Sequence, residues 1–186
     1  MKKEIITRRL KLLPSVDERD RDNYIMHLKD EDIFFYQYGQ VYSPELEEAI
    51  DFHSSGVIYY TVFLKDTDTM IGYVGIFPEM DSNGDSYGNL EFYFFPEYRR
   101  RGYAVEAVTA YMDCFCAGDL TGKRETQIYA ETIYENTASR NLLEKMGFHK
   151  EAVGLKGLVD GDNFRSYGVA CYRLELPNNE ERSAYA

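Results

Sequence analysis

The period of the hydrophobic pattern changes between Phe95 and Tyr103. Before that point the runs Val57–Leu64, Met70–Phe77 and Asn89–Phe95 are short and rich in β-branched and aromatic residues. They are bounded by the polar turn Lys65–Thr69, by Pro78, by Asp81-Ser82-Asn83-Gly84-Asp85 and by Pro96. Such runs between turn signals predict strands joined as an antiparallel meander. After that point Ala104, Val108, Tyr111, Met112 and Phe115 recur at intervals of three and four. That spacing predicts an amphipathic helix over Tyr103–Cys116.

The remaining elements follow from the same signals. Arg9–Leu13 reads as a short first strand that stops at Pro14, and Asp17–Lys29 carries Tyr24, Ile25 and Leu28 at helical spacing. Ile33–Tyr42 is aromatic-rich and reads as irregular or weakly helical, a wall for a substrate. Ser43-Pro44-Glu45 is a helix start: a capping hydroxyl, proline at the first helical position, then an acid. That helix carries Leu46 and Ile50 and ends near Gly56. Thr126–Ile133 reads as a strand, and Thr137–Met146 as a helix stopped by Gly147. Phe148–Leu158 and Phe164–Leu176 are strands around the hairpin turn Asp160-Gly161-Asp162. The expected architecture is a single α/β domain over residues 1–177, with a mixed, mostly antiparallel sheet and helices on both faces. Residues 178–186 read as a polar, frayed tail.

A chain of 186 residues matches one domain, and 44% hydrophobic residues suffice for one core. Its apolar windows are far shorter than the roughly 20 residues of a membrane span. The N-terminus lacks the apolar run of a signal peptide, so the expected location is cytoplasmic, with no membrane partner. The net charge of -11 argues against nucleic acid; it either only keeps the chain soluble or attracts a cationic partner such as an amine. Cys114, Cys116 and Cys171 form no Cys-x-x-Cys pair, which argues against a disulfide framework and a metal site.

Two constellations carry chemistry. The first is Arg99-Arg100-Arg101-Gly102-Tyr103-Ala104, between a strand and a helix. A helix N-terminus presents unpaired N–H groups and a partial positive charge. Gly102 lets the backbone approach an anion closely, Ala104 keeps the first turn small, and three arginines add fixed charge. A pyrophosphate is the natural occupant, although an ordinary turn with solvated arginines would read the same by composition. No Gly-Lys-Ser/Thr follows, so it is not a Walker loop, and the dinucleotide pattern Gly-x-Gly-x-x-Gly is absent. The second is Asn136-Thr137-Ala138-Ser139 followed by Glu144-Lys145-Met146-Gly147-Phe148. Each of these residues also has a helix-building reason, Asn136 as a cap and Gly147 as a stop.

Together the two constellations resemble the GNAT superfamily of N-acetyltransferases, whose cofactor loop reads Arg/Gln-x-x-Gly-x-Gly/Ala. Asn-x-x-Ser with Glu-Lys-x-Gly-Phe resembles the branch of ribosomal-protein N-terminal alanine and serine acetyltransferases. So do the opening Thr7-Arg8-Arg9-Leu10-Lys11-Leu12, the late turn Asp160-Gly161 and Tyr172. The resemblance covers about residues 7–176. It implies a GNAT-like fold with a splayed strand, acetyl-CoA as cosubstrate, and its pyrophosphate on the amides of Arg99 to Ala104. It also implies contact of the pantetheine arm with the backbone at Phe94 and with Asn136, and Ser139 near the thioester sulfur.

Many members of the superfamily carry a tyrosine acid seven residues after the asparagine, where this chain has Leu143. Ser139 is the candidate in its place. Glu91, on the strand before the loop, is the candidate base, against a solvent-facing carboxylate; Tyr93 and Tyr172 are alternative lining groups. An N–H near Phe94 or Phe95 is the expected oxyanion donor. His27, His53 and His149 are scattered and suggest no triad. The expected reaction is direct attack by an amine of a small molecule or a peptide N-terminus. The rivals are a non-catalytic acyl-CoA-binding regulator and an unrelated phosphate-binding or interaction domain. The sequence leaves a homodimer open.

Overall fold

A computed structural model describes residues 3–29, 58–80, 86–120, 127–160 and 163–176. The expectations for Ile33–Tyr42, the helix after Ser43, the turn Asp81–Asp85, residues 161–162 of the late turn and the tail lie outside the described residues. In chain order the elements are β1 (Ile5–Ile6), β2 (Leu10–Pro14), α1 (Asp17–Leu28), β3 (Ile58–Leu64), β4 (Met70–Met80) and β5 (Ser86–Phe94). A 3-10 turn (Pro96–Tyr98) leads to α2 (Tyr103–Cys116), then β6 (Gln127–Ile133), α3 (Thr137–Lys145), β7 (His149–Asp160) and β8 (Asn163–Glu175).

The strands form one sheet in the order β1-β2-β3-β4-β5-β6-β8-β7. Every neighbouring pair is antiparallel except β5–β6. The mixed, mostly antiparallel α/β architecture is therefore the one the sequence predicts. Two elements depart from expectation. The strand β1 is too short to show a period of two. And β4 runs through Pro78, which pairs with Gly88. The alternation that bonds Phe95 to Ile71 turns the Pro78 nitrogen toward β3 and away from β5, so proline forfeits no bond to β5.

The sheet separates two apolar layers. One holds α2 and α3: Ala107, Val108, Tyr111, Met112 and Phe115 of α2 and Leu142 and Leu143 of α3 pack against Leu90, Phe94, Ile128, Ala130 and Tyr172. Fully burying such side chains stabilises the fold by about 1.5–3 kcal/mol each. The other layer joins Tyr24 of α1 to Phe63, Met70, Tyr73, Tyr93 and Phe95. Helix α1 is pinned there by Asp20, whose side chain is fully buried. Its carboxylate accepts from Thr61 Oγ1 (2.7 Å), the Val16 amide (2.9 Å) and Arg19 Nε (2.5 Å). A buried carboxylate is tolerated only with this many donors.

Candidate active site

The one parallel pair of the sheet comes apart. Pairing of β5 with β6 covers Gly88↔Ile128 and Asn89↔Tyr129, whereas β5 runs on to Phe94 and β6 to Ile133. The two strands splay toward their C-terminal ends, and each is followed by a helix, α2 and α3. Both helix N-termini therefore flank the mouth of the splay. The C-terminal ends of parallel strands at such a break in topology are where α/β sheets bind ligands.

The backbone of β5 is oriented for that space. The Phe95 amide donates to the Ile71 carbonyl of β4 at 3.0 Å. By the antiparallel alternation, Phe92 and Phe94 turn their N–H and C=O groups the other way, toward β6. This separates two residues that the sequence treated alike. Phe94 faces the splay, but the Phe95 amide is committed to β4 and its ring is buried in the α1 layer. Phe95 is therefore placed away from the expected backbone contact and oxyanion role, because adjacent strand residues point to opposite edges.

The basic loop is held in an unusual backbone shape. Arg100 (φ 60°) and Gly102 (φ 79°) are both left-handed. For Arg100 that conformation costs about 1–2 kcal/mol, which the surrounding contacts must offset. Gly102 is the N-cap of α2 with no side-chain cap, and the first intrahelical bond is Glu106 N–H to the Gly102 carbonyl at 3.1 Å. The amides of Tyr103, Ala104 and Val105 precede that bond and form the positive end of the helix. Arg99, Arg100 and Arg101 are exposed beside it. Arg99 also braces the loop: its Nε donates to the Phe94 carbonyl at 2.7 Å, and its guanidinium lies 5.4 Å from the Tyr93 ring centre.

Helix α3 begins at Asn136, whose side-chain oxygen accepts the Ser139 amide at 3.1 Å. Asn136 and Ser139 are half-buried at the N-terminal turn, and one turn further Leu143 is buried in the core. The Tyr172 hydroxyl donates to Glu144 at 2.9 Å. Burial, and then that hydrogen bond to a carboxylate, raise its pKa. Gly147, at φ 88°, closes α3 as expected, with the Phe148 amide returning to the Leu143 carbonyl.

Glu91 projects from β5 into the α1 layer, on the opposite side of the sheet from α2 and α3. It is half-buried rather than solvent-facing and accepts a hydrogen bond from Tyr59 at 2.7 Å. The Tyr59 ring lies over Gly75, which pairs with Glu91; a Cβ there would stand 2.2 Å from the ring. Sequence reasoning missed Tyr59, because the pair joins β3 to β5 across β4. It also missed the role of Arg9, which reaches α2 and the loop from the β1–β2 turn. Arg9 Nε donates to Glu106 (2.6 Å) and an Arg9 terminal nitrogen to the Arg101 carbonyl (2.9 Å). The Arg-Arg-Leu sequence gave no sign of this partner, 97 residues away. Among the described residues, no group of three or more His, Cys, Asp or Glu side chains is placed to hold a metal ion.

A single sheet split at its parallel pair, with a basic left-handed loop at one helix start and an asparagine cap at the other, defines an α/β fold with an anion site at the mouth of the split. The acetyltransferase (GNAT) domain family matches the chain over residues 9–149, and the chain belongs to that family. It is an N-acetyltransferase that uses acetyl-CoA as cosubstrate. Solved structures share the fold. Spermidine N-acetyltransferase from Vibrio cholerae, in complex with CoA and spermine, is 20% identical, with TM-score 0.71 over 91% of this chain and 96% of that one. An acetyltransferase (GNAT family) from Bacillus anthracis is 20% identical, with TM-score 0.70 over 93% and 98%. Ribosomal-protein-S5-alanine acetyltransferase from Vibrio fischeri is 19% identical, with TM-score 0.66 over 91% and 95%. No curated protein matches the sequence. The residues present suit the cosubstrate: uncapped amides and arginines for a pyrophosphate, and strand edges turned into the splay for a pantetheine amide.

Proposed function

We propose that the protein acetylates a primary amine, borne by a small molecule or a peptide N-terminus, by direct attack within the β5–β6 splay. The observation that supports this is a sheet divided at β5–β6, with different groups on its two faces. The basic loop and α3 lie on one face, Glu91 on the other, and the splay connects them. When bound, acetyl-CoA supplies an activated thioester.

The amides of Tyr103, Ala104 and Val105, with Arg99, Arg100 and Arg101, hold the pyrophosphate. The Phe94 backbone and the Asn136 side chain hold the pantetheine arm. The Phe94 N–H, turned toward β6, is the oxyanion donor. Glu91 takes a proton from the amine, directly or through water; it must do so because an α-amine has a pKa of about 8 and a lysine about 10.4. Tyr59 fixes the Glu91 carboxylate. Ser139 donates to the departing thiolate.

The net charge of -11 favours a cationic acceptor, and the acceptors named for the fold neighbours are a polyamine and a ribosomal protein. The expected location is cytoplasmic. Among the described residues, no helix is long and apolar enough to cross a membrane. One observation favours a second reading, a non-catalytic acyl-CoA-binding regulator: Leu143, at the usual position of the tyrosine acid, is core-buried and carries no hydroxyl.

The test is thiol release from acetyl-CoA against spermine, spermidine and peptides with N-terminal alanine or serine. Turnover with one of them is expected, and cofactor binding with no turnover selects the regulator. Glu91→Gln should lower kcat/KM and change the shape of the pH–rate profile. A profile like the parent's removes Glu91 as base. Ser139→Ala should lower kcat more than cofactor affinity. A kinetic burst with an acetylated enzyme would rule out direct attack.

A further inference from the structure

We propose that Arg9 is a positioning residue for the pyrophosphate loop, acting through the Arg101 carbonyl and through Glu106. The proposal rests on the acetyl-CoA reading of the loop and goes beyond it, since Arg9 lies on the β1–β2 turn and outside the glycine motif.

Five contacts converge there. The Arg9 side chain donates from Nε to Glu106 Oε2 (2.6 Å) and from a terminal nitrogen to the Arg101 carbonyl (2.9 Å). The Arg9 amide (2.8 Å) and Thr7 Oγ1 (2.6 Å) donate to Glu106 Oε1. The guanidinium lies 4.5 Å from the Tyr103 ring centre. Its second terminal nitrogen is 3.3 Å from where a Gly102 Cβ would sit, so the group lies directly against the loop.

Two consequences follow. In a planar trans peptide the C=O and the next N–H point in opposite directions. By holding the Arg101 carbonyl, Arg9 turns the Gly102 N–H away from itself, and this fixes the peptide that leads into the first turn of α2. The second consequence is electrostatic. Glu106 places a carboxylate in the first turn of α2, beside a site meant for an anion. Burial pushes its pKa up, but the Thr7 hydroxyl, the Arg9 amide and the Arg9 guanidinium outweigh burial and hold it below the usual carboxylate value. The carboxylate is therefore charged, and Arg9 is the cation that cancels it. Without Arg9 an uncompensated negative charge would face the incoming pyrophosphate.

Calorimetric titration of coenzyme A into the full chain tests this, with Arg9→Lys, Arg9→Ala and the double variant Arg9→Ala/Glu106→Gln. Arg9→Ala should bind about tenfold more weakly or worse, the scale of one charge-assisted hydrogen bond. Arg9→Lys keeps the charge but cannot span both partners, so it should fall between Arg9→Ala and the parent. Adding Glu106→Gln to Arg9→Ala should restore part of the affinity. S-acetylpantetheine, which lacks the pyrophosphate, is the second probe. Its kcat/KM should change less than twofold in Arg9→Lys.

Equal losses with coenzyme A and S-acetylpantetheine would overturn the proposal in favour of general damage to the fold. So would unchanged coenzyme A affinity in both single variants. A parent protein that fails to bind coenzyme A would overturn the cofactor reading itself, a result distinct from either.

Discussion

Replacing Gly102 separates two things the loop needs, a left-handed backbone and an open approach. Gly102 sits at φ 79°, where a residue with a Cβ pays about 1–2 kcal/mol. The added Cβ of Gly102→Ala would stand 3.3 Å from an Arg9 nitrogen. That guanidinium belongs to a side chain that is 41% exposed and can give way, so strain is the main cost. For a chain of 186 residues, 1 kcal/mol corresponds to roughly 2–4 °C of Tm, so Gly102→Ala should melt about 2–8 °C lower.

Asparagine tolerates the left-handed region better than alanine but still projects a side chain over the amides. Gly102→Asn should therefore recover much of the lost Tm while binding coenzyme A at least about tenfold more weakly than the parent. Thermal melts without ligand and calorimetry with coenzyme A read the two effects separately. An asparagine variant with parental affinity would refute the claim that the pyrophosphate rests on this backbone. An alanine variant with parental Tm would refute the strain argument.

Other perturbations test the fold that carries the site. The Glu106 pKa is lowered in the folded chain, so its contribution to stability is fully present above about pH 4.5 and is lost as pH falls through the folded value. Acid unfolding of Glu106→Gln, followed by circular dichroism, should show a shallower pH dependence below that point than the parent. Leu143→Ala should cost about 2–5 kcal/mol in urea unfolding, because Leu143 is 1% exposed in the core. A cost below about 1 kcal/mol would mean that Leu143 lines an open channel instead. Asn136→Ala removes the cap to the Ser139 amide and should cost about 1 kcal/mol of stability. Asn136→Asp keeps the capping oxygen and should retain that stability; a loss like that of Asn136→Ala would refute the cap.

The sequence by itself determined what short-range physics controls. The apolar spacing of Tyr103–Cys116 named the buried face of α2, since positions three and four apart share a side of a helix. Asn136 and Gly147 marked the two ends of α3 because capping needs only neighbours along the chain. Gly102 marked, for the same reason, a point between a strand and a helix where the backbone can approach an anion closely.

Only the tertiary structure decided the rest. Where β5 and β6 part is set by how far two strands of a twisted sheet stay paired, and neither strand encodes it alone. The side of the sheet that receives Glu91, and the loss of Phe95 from the splay, follow from a register with β4 that is fixed by the pairing of whole strands. Pro78 could join β4 because its nitrogen turns away from β5, a fact about register. Arg9 meets Glu106 across 97 residues of chain, and a contact of that range exists only once the sheet and α2 have been packed together.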